Sequence, residues 1–248
     1  MSNSKLVNYT LISPNKSTRT EPITKITIHH MAVVWSVEQC GQSFYQASRK
    51  ASSNYAIDSD GRVGLYVPED YRAWTSSSSW NDNKAVTIEV SNSVAAYPWP
   101  VSDAAYEKLL QLCTDICMRN GIKELVYTGD KDGSLTRHNM FAATLCPGPY
   151  LEERFPKIAE EVNRRIKLGN IYGEEPKDED AEYKRFCELM QRWLSEPDTS
   201  EPSSWAKDSC TKAIERGIFK GDGKGAYNWQ KPLTRESYAV LQDREGLI

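Results

Sequence analysis

Apolar and polar residues follow two different periods along the first two thirds of the 248-residue chain. Short runs rich in Val, Ile and Tyr predict strands at residues 23–30, 55–58, 63–67, 85–90 and 125–127. Apolar positions three or four residues apart predict helices at residues 36–48, 102–120 and 150–167, and Gly169 is expected to end the last one. This alternation predicts an α/β fold with a mixed central β-sheet flanked by helices.

The pattern changes after residue 170. Residues 171–182 are rich in Glu, Asp, Lys, Pro and Gly, and they have almost nothing to bury, which predicts a linker. Beyond it, helices are predicted at residues 183–194 and 205–216, followed by a glycine-rich loop at 217–229 and a third helix with Thr234 at its N-cap. We therefore predict one domain at 1–170, a linker at 171–182 and a small helical domain at 183–248, which is small for an independent core and is expected to lean on the first domain or to form a homo-oligomer.

Composition excludes several classes of function. The net charge is −3 and no basic run occurs, which argues against a nucleic-acid partner. No stretch reaches the roughly 20 apolar residues of a membrane span, and the first residues lack the apolar region of a signal peptide. We therefore expect synthesis in the cytoplasm, reduced rather than disulfide-bonded cysteines, and burial of Cys113 and Cys117 in a helix.

Two of the three histidines stand in positions that suit a metal site. His29 ends the first long strand pattern, and His138 lies eight residues before Cys146. Two imidazoles and one thiolate are three protein ligands, a set that leaves zinc a fourth position for water. Because eight helical residues would rise about 12 Å, the segment from His138 to Cys146 must loop back for both to bind one ion.

Strand alternation separates His29 from His30. Neighbouring side chains on a strand point to opposite faces, so His30 shares its face with Ile28 and His29 shares the more polar face with Thr27. His29 is therefore favoured as the ligand, and His30 is expected in the core or in a hydrogen bond.

Several motifs recur together in one order, and they are ITIHHMA at 26–32, IDSDGRV at 57–63, AVTIEV at 85–90, RH at 137–138 and LCPG at 145–148. Over about residues 20–168 the chain resembles the zinc-dependent N-acetylmuramoyl-L-alanine amidases of the phage-lysozyme and peptidoglycan-recognition-protein type. The resemblance implies that His29, His138 and Cys146 bind Zn²⁺, and that the substrate is the amide between N-acetylmuramic acid and L-alanine in peptidoglycan.

The same resemblance implies that Glu89 moves protons in the reaction. Glu89 stands between Ile88 and Val90 in a strand pattern, where burial of a carboxylate is costly without a task or a partner. A salt bridge is the alternative. Thr144 stands where many members of the family carry a Lys, so it is expected either to donate a hydrogen bond in catalysis or to be a plain loop residue.

Other positions are less specific. Ser53 stands where phage-lysozyme-like members carry a Tyr, with Asn54 next to it and Tyr55 two places later, and a part in catalysis stays open for Ser53 and Asn54. Trp99 is expected in the core, and the candidates for lining a substrate groove are Trp74, Ser76–Ser79, Trp80 and Asn83.

The C-terminal region resembles a single S-layer-homology motif, with a helix, a GIFKGDG loop at 217–223 and a Thr-Arg-Glu helix start at 234–236. This implies binding to a cell-wall polymer, with Arg235 either on an anionic wall group or in a helix-start salt bridge. The leading hypothesis is a phage or prophage endolysin that acts on a Gram-positive cell wall after release. The alternative is a recognition module that binds muropeptides without cutting them.

Overall fold

The computed structural model of the chain describes residues 3–174, 179–196, 200–224, 226–229, 231 and 235–245. The chain divides into two compact units, Met1–Pro176 and Lys177–Ile248. The strands of the first unit are β1 (Val7–Thr10), β2 (Lys16–Thr18), β3 (Lys25–His30), β4 (Tyr55–Ile57), β5 (Val63–Leu65), β6 (Tyr71–Ala73), β7 (Ala85–Val90) and β8 (Leu135–Arg137). Its helices are α1 (Val37–Tyr45), α2 (Ser79–Lys84), α3 (Asp103–Asn120), α4 (Pro149–Glu152) and α5 (Phe155–Leu168).

Six strands form one mixed sheet in the order β1-β5-β4-β7-β3-β8. The β4–β5 pair is antiparallel, and the other neighbours in this sheet are parallel. Strands β2 and β6 form a separate antiparallel pair. The central strands β3 and β7 pair over their full length, from Lys25 opposite Ala85 to His30 opposite Val90. The predicted α/β fold with a mixed central sheet flanked by helices is confirmed.

The two faces of the sheet are covered by different helices. One face carries Ile28 and Ile88 into the larger core cluster, where they meet residues of α3 and α5 such as Leu109 and Ile158. Cys113 and Cys117 of α3 are buried in this same cluster, as predicted. The other face carries Ala56 into a smaller cluster with α1. Because side chains alternate along a strand, the polar residues of β3 and β7 lie on the α1 side.

Helix boundaries follow local signals. Ser36 caps α1 in a reciprocal capping box with Gln39, and α5 ends at Gly169, which has a φ of 70°. The predicted helix over 150–167 is two helices, because Pro156 has no N–H for the carbonyl of Glu152 and its ring would clash with that carbonyl. The chain turns there and starts again with Pro156 in the first turn of α5.

The strand predicted at 125–127 is wrong. Leu125 is buried, but its backbone N–H and C=O bond to the side chain of Asn163 rather than to a strand. The strand beside β3 is instead β8, in which Leu135 pairs with Ile26. This strand was missed because its three residues contain a single large apolar side chain.

The second unit is described by itself. Its helices are α6 (Glu179–Ser195), α7 (Lys207–Glu215) and α8 (Arg235–Arg244). Between α7 and α8, Asp222 accepts hydrogen bonds from the backbone of Lys224 and Ala226, and Tyr227 stacks on Trp229 at 5.3 Å between ring centroids. The expected N-cap Thr234 lies outside the described residues. No described helix has the length and apolar character needed to cross a membrane.

Candidate metal centre and active site

Two adjacent parallel strands bring the histidines together. His29 lies near the end of β3, and His138 begins the 3-10 turn that directly follows β8. Because β3 and β8 run parallel, the carboxyl ends of both strands lie at the same edge of the sheet. The two imidazole ring centroids are therefore close, 4.6 Å apart. Cys146 completes the group: one donor atom from each of the three residues lies within 4.8 Å of the others.

The loop from His138 to Cys146 closes on itself, as the spacing requires. The N–H of Asn139 donates to the carbonyl of Cys146 at 3.1 Å. The N–H of His30 donates to the Cys146 sulfur at 3.4 Å, so the strand that carries one imidazole also fixes the thiol. His30 itself lies outside the donor cluster within the described residues, in keeping with the preference for His29.

The spacing of His29 and Cys146 fits tetrahedral zinc. Bond lengths of about 2.0–2.1 Å for nitrogen and about 2.3 Å for sulfur, at the tetrahedral angle, put the two donors roughly 3.6 Å apart. The distance from His29 Nδ1 to Cys146 Sγ is 3.6 Å. Two imidazole nitrogens and one thiol sulfur are also the ligand types that zinc takes in catalytic sites. The residues present therefore fit the ion that the motif predicts.

Burial sets the protonation of the cluster. It lowers the pKa of His29 well below its ordinary range, with the neighbouring His138 and His30 adding to the effect, and it lowers the pKa of His138. Both imidazoles are therefore neutral at pH 7, which is the form that binds metal. Burial, and then the charge of Glu89, raises the pKa of the Cys146 thiol, so thiolate formation depends on a nearby cation.

Glu89 lies directly across the sheet from the first histidine. It pairs in register with His29, and its Oε1 is 4.0 Å from His29 Nδ1. Its Oε2 is buried without a hydrogen-bond partner, and burial raises the pKa of Glu89 to about 8. No described Lys or Arg lies within ion-pair distance of it, which removes the salt-bridge alternative for this part of the chain.

Thr144 stands at the rim of the same site. Its hydroxyl oxygen accepts a hydrogen bond from the N–H of Cys146 at 3.2 Å, and the residue is half-buried. Because that bond uses an acceptor position of the hydroxyl, its proton is left for a donor contact in the cleft. Both interpretations of Thr144, loop residue and hydrogen-bond donor, are compatible with this position.

Glu89 and two of the three donors, His138 and Cys146, line a cleft of about 400 Å³, and His29 lies buried behind it. Aromatic and cationic residues that the sequence did not single out also line this cleft. Its lining residues are His30, Met31, Ala32, Trp35, Cys40, Ser43, Phe44, Arg49, Ala51, Ser52, Trp74, Thr75, Glu89, Trp99, His138, Thr144, Leu145 and Cys146. Trp74 lines it as expected, whereas Trp80 is outside this set and lies over Lys84 instead, with the Lys84 Nζ 4.7 Å from its ring centroid.

Trp99 was expected in the core and is instead half-buried at the cleft. Its φ of 56° is strained for a bulky residue, and hydrogen bonds to Ala96 and Asn92 hold the turn. This turn places the indole in an edge-to-face contact with the His30 ring, with 5.4 Å between ring centroids. Gly148 closes the contact: its φ is 81°, and a Cβ there would lie 3.2 Å from the His30 ring.

Ser53 and Asn54 are occupied by the sheet. The Ser53 hydroxyl donates to the carbonyl of Tyr55 at 2.8 Å, and the Asn54 side-chain oxygen accepts from the N–H of Thr87 at 3.0 Å. Both are fully buried and neither lines the cleft. These hydrogen bonds explain why both polar side chains are buried there, with no need for a part in the reaction.

Comparison with known proteins places the first unit in a family. The family model Amidase_2, described as N-acetylmuramoyl-L-alanine amidase, matches residues 19–149. No curated protein sequence matches the chain significantly.

Solved structures share the fold of this unit. PlyL has a TM-score of 0.51 and 15% identity, over 63% of this chain and 96% of that one. Staphylococcus aureus hydrolase AmiA in complex with its ligand has a TM-score of 0.51 and 14% identity, over 68% and 86%. A mutant endolysin from Bacillus subtilis has a TM-score of 0.50 and 14% identity, over 63% and 99%. With more than half of its length matched by the family model, the chain belongs to the Amidase_2 family and is an N-acetylmuramoyl-L-alanine amidase, a hydrolase of peptidoglycan.

Proposed function

We propose that the chain hydrolyses its amide with one zinc ion held by His29, His138 and Cys146. The observation that carries this proposal is the cluster itself, in which neutral imidazoles and a buried thiol come within 4.8 Å of one another beside an unpaired carboxylate. A zinc ion held there would lower the pKa of a water molecule towards about 7 and polarise the scissile carbonyl.

The chain's own groups then move the proton. Glu89 lies 4.0 Å from His29 Nδ1 with one oxygen free of hydrogen bonds, so it can accept a proton from the attacking water. It returns that proton to the leaving amine of L-alanine, as general acid–base catalysis requires. Thr144 donates a hydrogen bond to the developing oxyanion, which is a neutral contact in place of the charge that a Lys would supply.

The test is release of N-terminal L-alanine from Gram-positive peptidoglycan, with and without a zinc chelator. We expect release that the chelator stops and added zinc restores. Release that the chelator leaves unchanged would overturn the zinc proposal. Binding to the wall without release would favour the recognition-module alternative.

Two Cys→Ala variants test the assignment of Cys146 as a zinc ligand. Cys146→Ala should lose both activity and bound zinc, measured as zinc per chain after gel filtration. Cys113→Ala is the matched control, because Cys113 is equally a buried thiol but belongs to the core of α3. Retention of one zinc per chain by Cys146→Ala would contradict the assignment.

We propose further that the second unit binds a cell-wall polymer and that the whole chain acts as an endolysin on a Gram-positive wall. Support comes from the stacked Tyr227 and Trp229, from Trp205, which is 88% exposed, and from the fold shared with a Bacillus subtilis endolysin. Removing residues 177–248 should weaken sedimentation with purified walls while leaving cleavage of small muropeptides unchanged. Equal sedimentation of both forms would refute wall binding, and analytical ultracentrifugation of both would test self-association through this unit.

A further inference from the structure

Arg49 lines the catalytic cleft and has no part in the mechanism above. It ends the 3-10 turn Ala47–Arg49 that follows α1, and the next residue, Lys50, has a left-handed φ of 54° that turns the chain towards β4. Arg49 is exposed, and no hydrogen bond or ion pair joins its guanidinium to another described residue. The side chain is therefore available to a ligand in the cleft.

Arg49 is also the cleft's only permanent cation within the described residues. The cleft lining contains no Lys and no second Arg. Without Arg49, this lining would offer a negatively charged ligand no Lys or Arg, and its one carboxylate, Glu89, would repel such a ligand when ionised.

Hydrogen bonds connect the segment after Arg49 to the strand that carries Glu89. The carbonyl of Ser52, three residues after Arg49, accepts a hydrogen bond from Thr75, and the Thr75 hydroxyl lies 2.9 Å from that of Thr87, which precedes Glu89 on the same face of β7. Arg49 and Glu89 therefore line one continuous cleft. Aromatic rings belong to the same lining, among them Trp74, whose backbone N–H donates to the Ser52 hydroxyl at 3.0 Å, and Trp99, whose ring contacts His30.

The substrate carries its negative charge on one side of the scissile bond only. On one side of the scissile amide is a neutral N-acetylated sugar ring, and on the other is a stem peptide that carries carboxylates. We propose that Arg49 binds a free carboxylate of the stem peptide, so that it sets the direction in which the substrate crosses the site and favours free-acid stems over amidated ones. A guanidinium suits this role because it binds a carboxylate through two parallel hydrogen bonds.

This inference rests on the proposed amidase reaction, and the test separates the two. The full-length zinc-loaded enzyme is given muropeptides that are identical except for one carboxyl group, either free or amidated, at the second or at the third residue of the stem. We expect the parent to prefer one free acid over its amide by about tenfold or more in kcat/KM. The stem position at which amidation lowers kcat/KM identifies the carboxylate that Arg49 binds.

Arg49→Gln should lower kcat/KM for the preferred free acid about tenfold or more and leave the amidated substrate within about twofold. Arg49→Lys should restore part of the preference, because it retains the charge without the planar pair of donors. Lys50→Gln is the matched control: it removes an exposed charge next in the chain but outside the cleft lining, and it should keep the parent's preference.

Equal losses on free and amidated substrates in Arg49→Gln would overturn the inference, because they would mean that Arg49 acts on Glu89 or on the fold. Equal rates of the parent on both substrates would overturn it as well. If the parent cuts neither substrate, the proposed reaction itself fails, and the carboxylate subsite fails with it.

Discussion

Replacing Glu89 by Gln should abolish activity and at the same time make the metal-free protein less sensitive to rising pH. Gln has nearly the same shape but carries no charge, so the exchange removes the ionisation and little else. Loss of a general acid–base group costs about 10²–10⁴-fold in rate. The stability effect has the opposite sign, since burial of the Glu89 carboxylate without a hydrogen-bond partner for Oε2 is unfavourable.

The magnitude follows from the pKa. A rise from 4.5 in the unfolded chain to about 8 in the fold corresponds to about 5 kcal/mol at high pH, at about 1.36 kcal/mol for each pKa unit. The folded protein holds this proton more tightly than the unfolded chain, so the contribution is fully present below pH 4.5 and is lost as pH rises through about 8. Between pH 5 and pH 8 the parent should lose up to about 3–4 kcal/mol through this group.

The assay is urea unfolding of chelated protein at pH 5, 6, 7 and 8, followed by tryptophan fluorescence. All other residues are the same in the parent and Glu89→Gln, so the difference between the two proteins reports the effect of the Glu89 carboxylate, including its coupling to His29 and Cys146. Glu160→Gln, which removes an exposed carboxylate on α5, is the control and should follow the parent. An identical pH dependence for the parent and Glu89→Gln would refute the claim that this buried carboxylate destabilises the fold.

Three further substitutions test the supports of the site and the core. Gly148→Ala puts a Cβ 3.2 Å from the His30 ring at a φ of 81°, so it should lower the free energy of unfolding by about 1–3 kcal/mol. It should also lower the affinity for zinc, measured by competition with a chelator, and an unchanged affinity would contradict this. Arg119→Met strands the buried Glu69 carboxylate, to which Arg119 donates at 2.7 Å, and should cost about 3–5 kcal/mol in urea unfolding; a loss below about 1 kcal/mol would count against it. Ser102→Ala removes the N-cap of α3 and should cost about 1 kcal/mol in thermal unfolding, with Ser102→Gly milder.

Local sequence signals were sufficient for much of the fold. The strand predicted at 85–90 is β7 residue for residue, and Gly169 ends α5 as expected, because alternation and a left-handed C-cap are properties of neighbouring residues. The side on which His29 lies also followed from alternation alone. The convergence of His29 with His138 and Cys146 was predicted from the family resemblance, and the parallel pairing of β3 with β8 provides its physical basis.

Only the tertiary structure decided which groups stand unpaired and what faces the cleft. The sequence could not choose between a salt bridge and a free carboxylate for Glu89, because the absence of a nearby cation depends on every element around it. The prediction that Trp99 lies in the core was wrong because the direction of its side chain is set by a turn with a strained φ, to which the Asn92 side chain donates a hydrogen bond. Arg49 carried no signal at all, since its place in the cleft lining depends on how the turn after α1 packs in the fold and leaves no periodicity in the chain.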